Sequence, residues 1–378
     1  MGRDLYARHD MPPLLRRGAE MTECFRQSLV RAGISSVWIE DDLSEGIDPL
    51  EALSEETRTE AIGAIRKLFG EVAGSEGSGT LSVSSVEQME DVARRVVADI
   101  MANADCALAL NDLANADGYT MRHSLAVTVM GLALGLRLMQ KYGWVDYRGQ
   151  RQYGDIEERL TMLGMGLLLH DIGKLTVPPE VLHKRGRLTA DEIALVRAHP
   201  ETGYEMLKNS GVSPVSRAVV RSHHEKWDGT GYPDGKAGTQ IHQFARIATV
   251  SDVFDALTSD RPYRKADPPH TGYEYILARV GRDFDPEVVE IFRTSVAPHP
   301  PGTGVILSDG YCGIVKEVRQ GSVNRPVVRL VLNPAGEEIA YKEIDLSVHP
   351  DLTIVSADFD PWARPARDVR VPGDVRVA

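Results

Sequence analysis

The hydrophobic pattern of this chain changes character at Pro298-His299-Pro300-Pro301-Gly302. Upstream, long apolar stretches such as 125–139 and 160–169 read as helices. Downstream, residues 305–307, 313–318, 327–332 and 338–341 are rich in valine and isoleucine with a period of two, separated by Asp309-Gly310, Gln320-Gly321 and Pro334-Ala335-Gly336. A side-chain period of two suits a strand and one of 3.6 suits a helix, so the two parts cannot share one architecture. The expectation is a mainly α body, residues 81–297, followed by a small antiparallel β extension over 298–357.

Inside the α body, Ser84 with Glu87 makes a capping-box pattern that predicts a long helix to about residue 113. Thr189 with Glu192 makes a second, opening a helix that runs toward His199. A polar loop is expected at 141–154, and Gly131-x-x-x-Gly135 reads as a close helix contact within a core. Residues 1–50 read as a small mixed unit, with a helix near 19–32 and a strand at Ser36-Val37-Trp38-Ile39. Residues 51–80 read as a helix over 54–71 and a Gly/Ser linker, and 358–378 as a disordered Pro- and Arg-rich tail.

With 378 residues, 42% apolar and 26% charged, the chain can build a buried core in two or three units. Its formal net charge of −12 argues against a general nucleic-acid partner, which needs a basic surface. An anionic ligand would need local cations, and metal ions could supply them. The longest apolar segment, 125–136, is well short of the ~20 residues that span a bilayer, so no membrane partner is expected. Cys24, Cys106 and Cys312 are scattered and odd in number, which suits a reducing compartment and a cytoplasmic protein.

Within the α body His123, His170, Asp171, His199, His223, His224 and Asp252 have ligand-like settings. Imidazole and carboxylate without thiolate suit first-row ions such as iron, manganese, nickel or zinc. A carboxylate can bridge two cations and a histidine cannot, which makes Asp171 the candidate bridge. Taken singly, each residue has an ordinary structural alternative: His123 as a hydrogen-bonded helix residue, Asp252 as a cap.

The order of motifs goes further. His170-Asp171-Ile172-Gly173-Lys174, Ala198-His199-Pro200-Glu201-x-Gly203, His223-His224-Glu225-x-Trp227-Asp228-Gly229-x-Gly231-Tyr232-Pro233 and Asp252-x-x-Asp255-Ala256-Leu257-Thr258-Ser259-Asp260-Arg261-Pro262-Tyr263-Arg264 resemble the HD-GYP family. Tyr119-Thr120 and His123-Ser124 fit its opening motif, and the resemblance spans about residues 100–290. This subgroup of the HD phosphohydrolases is known for hydrolysing the bacterial second messenger cyclic di-GMP.

The resemblance implies a helical HD-type domain with one ion on His123, His170, Asp171 and Asp252, and a second on Asp171, His199, His223 and His224. Two divalent first-row ions are implied, iron or manganese favoured. A third ion in some members uses a carboxylate one turn before the first histidine; Tyr119 stands there instead, which favours two ions and leaves a third as the alternative. Paired cations would activate a shared water for attack on phosphorus. Lys174 is implied as a stabiliser of the scissile phosphate. Arg261 and Arg264 are implied contacts to phosphate or guanine, and Asp255 orients a ligand or contacts substrate.

Gly231-Tyr232-Pro233 forms either a wall of the site or a docking surface for a partner such as a diguanylate cyclase. The leading expectation is a phosphodiesterase opening cyclic di-GMP to pGpG and on to GMP. The alternatives are a related cyclic dinucleotide as substrate, or a receptor that binds cyclic di-GMP without turnover. The β extension either packs on the helical body or supports a homodimer.

Overall fold

The structure, a computed structural model, describes residues 16, 18–31, 41–48, 52–74, 81–104, 119–146, 148–184, 186–260 and 264–360. The expected strand at 36–39, the linker beyond Gly74, the stretch 105–113, Arg261 and the tail from 361 lie outside them.

At the centre is α4, Tyr119–Tyr142. Most of its side chains from Leu125 to Met139 are buried, as expected of a helix that is apolar on every face. It packs on α5 (Ile156–Leu169), α10 (Gln243–Thr258) and α12 (Pro286–Ser295). The two small residues make the α5 contact close, as their spacing predicts. A Cβ on Gly131 would lie 2.6 Å from Leu167 Cδ1, and one on Gly135 would lie 2.6 Å from Leu163 Cδ2.

Two further helices close the other side. These are α2 (Glu55–Gly74), which buries Ala61, Ile62, Ile65 and Leu68, and α3 (Val83–Ala102), which buries Met89, Ala93, Val96 and Val97. Ser82, not Ser84, caps α3, its side chain accepting from Ser85 N, and the helix ends at Ala102 with Asn103 as its cap. Either serine could supply the hydroxyl; Ser82 alone is extended and outside the first turn, as a cap must be.

The expected polar loop contains a short hairpin, β1 (Trp144–Val145) with β2 (Arg151–Gln152). Thr189 and Glu192 do form a capping box, opening α7 at Ala190–Arg197. Short helices follow at α8 (His199–Met206) and α9 (Pro214–Ser222), each with a proline in its first turn, where the missing N–H costs nothing.

The β extension is a five-stranded antiparallel sheet in the order β6-β5-β4-β3-β7. Its strands are β3 Gly304–Leu307, β4 Cys312–Glu317, β5 Val327–Leu332, β6 Glu338–Asp345 and β7 Ile354–Ser356. The last was not expected from the sequence, since three residues show too little alternation to stand out. One face of the sheet buries Val305, Leu307, Val315, Val328 and Leu330 with Ala297 from the end of the helical body.

On the other face, Ile314 and Val331 bury Ile47, and Arg329 Nη1 donates to Leu43 O at 2.8 Å. The segment 41–48 therefore covers a sheet that would otherwise be half-solvated. This explains why β5 is an almost unbroken apolar run rather than an alternating one. No helix among the described residues is long and apolar enough to cross a membrane.

Candidate metal centre

Helix ends converge on one point. His123 lies in the first turns of α4, and His170 and Asp171 follow the last residue of α5. His199 begins α8, His223 and His224 follow α9, and Asp252 and Asp255 sit one turn apart on α10. Gly173 allows the approach of α8, because a Cβ there would lie 2.0 Å from His199 O. Gly203 answers it, its own Cβ position being 3.1 Å from Gly173 N. This backbone-to-backbone contact sets Asp171 beside His199.

The hydrogen bonds fix how each ring is turned. His170 Nδ1 donates to Leu167 O at 2.7 Å, His199 Nδ1 to Val196 O at 2.7 Å, and His223 Nδ1 to Val220 O at 2.9 Å. His123 Nδ1 donates to Asp255 Oδ2 at 2.7 Å. A carbonyl or carboxylate only accepts, so each Nδ1 carries a proton and each neutral ring offers a bare lone pair at Nε2. His199 and His223 turn these lone pairs on each other, with Nε2 atoms 3.1 Å apart, while His123 and His170 Nε2 are 3.3 Å apart, close enough for a proton or a cation to sit between them. Opposed lone pairs repel unless a cation lies between or beside them.

Asp171 joins the two pairs. Its Oδ2 lies 3.5 Å from His123 Nε2 and 3.4 Å from His170 Nε2, while its Oδ1 lies 3.3 Å from His199 Nε2 and 3.9 Å from His223 Nε2. Lys174 Nζ donates to Oδ2 at 2.6 Å, but Oδ1 is buried with no hydrogen-bond partner. An orphaned carboxylate oxygen is expensive in a protein interior, and it is what a metal ligand looks like without its metal. Two groups emerge, His123-His170-Asp171 and His199-His223-His224, with one oxygen of Asp171 turned toward each. Asp252 Oδ1, 3.1 Å from His123 Nε2, adds to the first. The donor set therefore fits two first-row cations sharing a carboxylate.

The electrostatics agree. Burial pushes the pKa of His170 down, that of His223 well down, and that of His224 down to about 4, which keeps all three neutral and ready to ligate. Burial opposes ionisation of Asp171 and Asp252, yet the Lys174 ammonium for the first, and His123 for the second, hold both well below the usual carboxylate range. Burial likewise disfavours charge on His123, but Asp252 and Asp255 outweigh it and raise its pKa to about 10. A proton and a cation would thus compete for His123 Nε2, and a bound cation would displace that proton.

The glycine-rich loop lies against the second group of histidines. A Cβ on Gly231 would lie 2.4 Å from Lys226 N, so only glycine lets the loop fold back on residues 224–226. Tyr232 N donates to His224 O at 3.2 Å, and its ring stacks on His224 with centroids 4.8 Å apart. Burial, with Asp252 nearby, raises the Tyr232 phenol above its ordinary pKa, so it stays a neutral donor. Pro233 follows within the same loop.

Two supporting residues escaped the sequence reading. Glu225 is buried, and its two oxygens accept from Asp234 N at 2.7 Å and Lys236 N at 3.1 Å, pinning the loop from beneath. Thr249 Oγ1 donates to His223 O at 2.9 Å and ties α10 to the histidine pair. Glu225 directly follows His223-His224, which was the available signal, but a buried glutamate and a solvated one look alike in a string of letters. Arg264 is exposed and paired with Asp267, so no contact brings it to the cluster.

A profile of the HD domain family matches residues 132–288, a span that takes in every cluster residue except His123. The chain is 32% identical over 363 residues to a cyclic di-GMP phosphodiesterase of Pseudomonas aeruginosa, covering 88% of this chain and 83% of the relative. This chain belongs to the HD-GYP family. It is an HD-GYP phosphodiesterase.

A cyclic di-GMP phosphodiesterase response regulator of Xanthomonas campestris is 44% identical over 141 residues, 37% of each chain. A 3'3'-cGAMP-specific phosphodiesterase of Vibrio cholerae is 39% identical over 141 residues, 37% of this chain and 27% of the relative. With the Pseudomonas protein the similarity extends well beyond the HD-GYP core. With the other two it covers little more than a third of the chain.

Proposed function

We propose that this protein hydrolyses cyclic di-GMP to linear pGpG, and pGpG onward to GMP, at a centre holding two divalent ions, iron or manganese. The observation that carries this reading is the divided Asp171 carboxylate, one oxygen toward each imidazole pair and Oδ1 without a hydrogen bond. When bound, the ions supply an activated water and neutralise charge on the phosphoryl oxygens.

The chain's own residues supply the rest. His123, His170, Asp171 and Asp252 would hold one ion, and Asp171, His199, His223 and His224 the other. Asp255 keeps His123 turned so that Nε2 faces the site. Lys174 is 28% exposed, within reach of both Asp171 and a bound phosphodiester, and carries positive charge to the scissile group. Tyr232 and Pro233 wall the mouth. The stack of Tyr232 on His224 favours that role over a docking surface for another protein.

The cGAMP-specific relative makes cyclic GMP-AMP the second substrate to test, because the cluster fixes phosphodiester chemistry without addressing either base. A receptor without turnover is disfavoured by the completeness of the ligand set. The cytoplasmic setting we propose rests on the free thiols of Cys24 and Cys312. The deciding experiment is anaerobic purification, elemental analysis, and chromatography of products from each dinucleotide. Formation of pGpG from cyclic di-GMP is expected. Cleavage of cyclic GMP-AMP with cyclic di-GMP left intact would overturn the substrate assignment, and binding without any product would overturn catalysis.

A further inference from the structure

The cations around the mouth of the site are not equivalent. Lys174 is paired with Asp171, Arg221 is paired in two-pronged fashion with Asp234, and Lys236 also reaches Asp234. Arg197 differs: it is exposed, in the last turn of α7 two residues before His199, and no carboxylate among the described residues lies within ion-pairing distance of it. Its guanidinium instead lies over the Tyr232 ring, 5.2 Å from the centroid.

A cation near a helix C-terminus interacts favourably with the helix dipole, which accounts for a positive charge somewhere in that turn. The dipole does not account for a guanidinium held against the aromatic wall of the site. Arg197 lies over the Tyr232 ring and Tyr232 stacks on His224, a series of contacts that leads from solvent to the partly buried histidine of the cluster. In a chain of formal net charge −12, a guanidinium with no carboxylate partner among the described residues is available to an incoming anion. Its planar fork suits two oxygens of one phosphate.

A cyclic dinucleotide carries two phosphodiesters. One must enter the metal cluster beside Lys174, and the other must then lie outside it. We infer that Arg197, braced on Tyr232, binds the second, uncleaved phosphate of the substrate and so selects dinucleotides over simple phosphodiesters. This inference rests on the cyclic-dinucleotide reading above.

The test compares wild type and Arg197→Gln, both metal-loaded, on cyclic di-GMP, cyclic GMP-AMP and bis(p-nitrophenyl) phosphate, which has a single phosphodiester. Removing one charged phosphate contact predicts a KM for the cyclic dinucleotide about tenfold higher, with kcat within about twofold. The dependence of kcat/KM on salt should weaken as well, and Arg197→Lys should restore part of the loss. Bis(p-nitrophenyl) phosphate should be cleaved by both proteins with similar KM. An unchanged dinucleotide KM in Arg197→Gln would overturn the inference, as would an equal loss on both substrate types. Wild-type protein that cleaves bis(p-nitrophenyl) phosphate but neither dinucleotide would instead overturn the reading on which the inference stands.

Discussion

The two halves of the cluster are built from different chemistry. Around His123 and His170 stand Asp252, Asp255 and one oxygen of Asp171, so carboxylates outnumber imidazoles, and every side chain there is almost completely buried. Around His199, His223 and His224 imidazoles outnumber the carboxylates, which are the other oxygen of Asp171 and, 3.7 Å from His224, Asp252 Oδ2, and the His224 side chain is 23% exposed. The first half is the more acidic and the more closed, the second richer in imidazole and open to the Tyr232 wall. A dication is held more firmly where fixed negative charge surrounds it, and it polarises a ligand more where less charge offsets its own. The halves should therefore divide the work, the first anchoring and the second meeting substrate.

The largest expected effect erases the comparison altogether. Asp171→Ala removes the one group common to both halves and should lower turnover on the order of 10³-fold or more, with both ions lost. Retained turnover in this variant would sink the bridging role. Separating the halves comes next: His123→Ala and His199→Ala should each leave about one ion per chain. Under graded chelator the wild type should release its metal in two steps, the open half first. A single release step would remove the distinction between the halves.

Smaller effects sharpen it. Asp255→Asn no longer offers His123 a charged acceptor, and should weaken metal affinity of the acidic half about 10- to 100-fold while sparing the other. Competition with a fluorescent chelator would measure this, and equal weakening at both sites would contradict it. Smallest is Glu225→Gln. Its amide has one accepting oxygen for two loop N–H groups, a loss of about 1–3 kcal/mol in stability. The thermal midpoint should fall and the KM rise, with the metal count unchanged. A lost ion would show that Glu225 supports the cluster rather than the loop.

Much of this site was legible in the sequence because its chemistry depends on residue types that have few other uses. His170-Asp171 and His223-His224 alone left ordinary alternatives open, and it was the order of the motifs around them, similar to that of the HD-GYP family, that named the candidate ligands. The change of period at Pro298 was legible as well, and the structure reproduces it as helices before it and a sheet after it. What was not legible depends on partners distant in sequence. Glu225 matters because Asp234 N and Lys236 N fold back onto it, and Ile47 because it covers a sheet nearly 270 residues later. The cap of α3 passed from Ser84 to Ser82 because neighbouring serines differ in backbone conformation, not in composition.

The most direct test of a shared, two-ion centre is a titration of metal-free protein with ferrous iron or manganese under anaerobic conditions, following cyclic di-GMP hydrolysis. Two ions joined through Asp171 predict little activity at one equivalent per chain and a plateau at two. Full activity at one equivalent, with no further gain at two, would contradict the bridged centre.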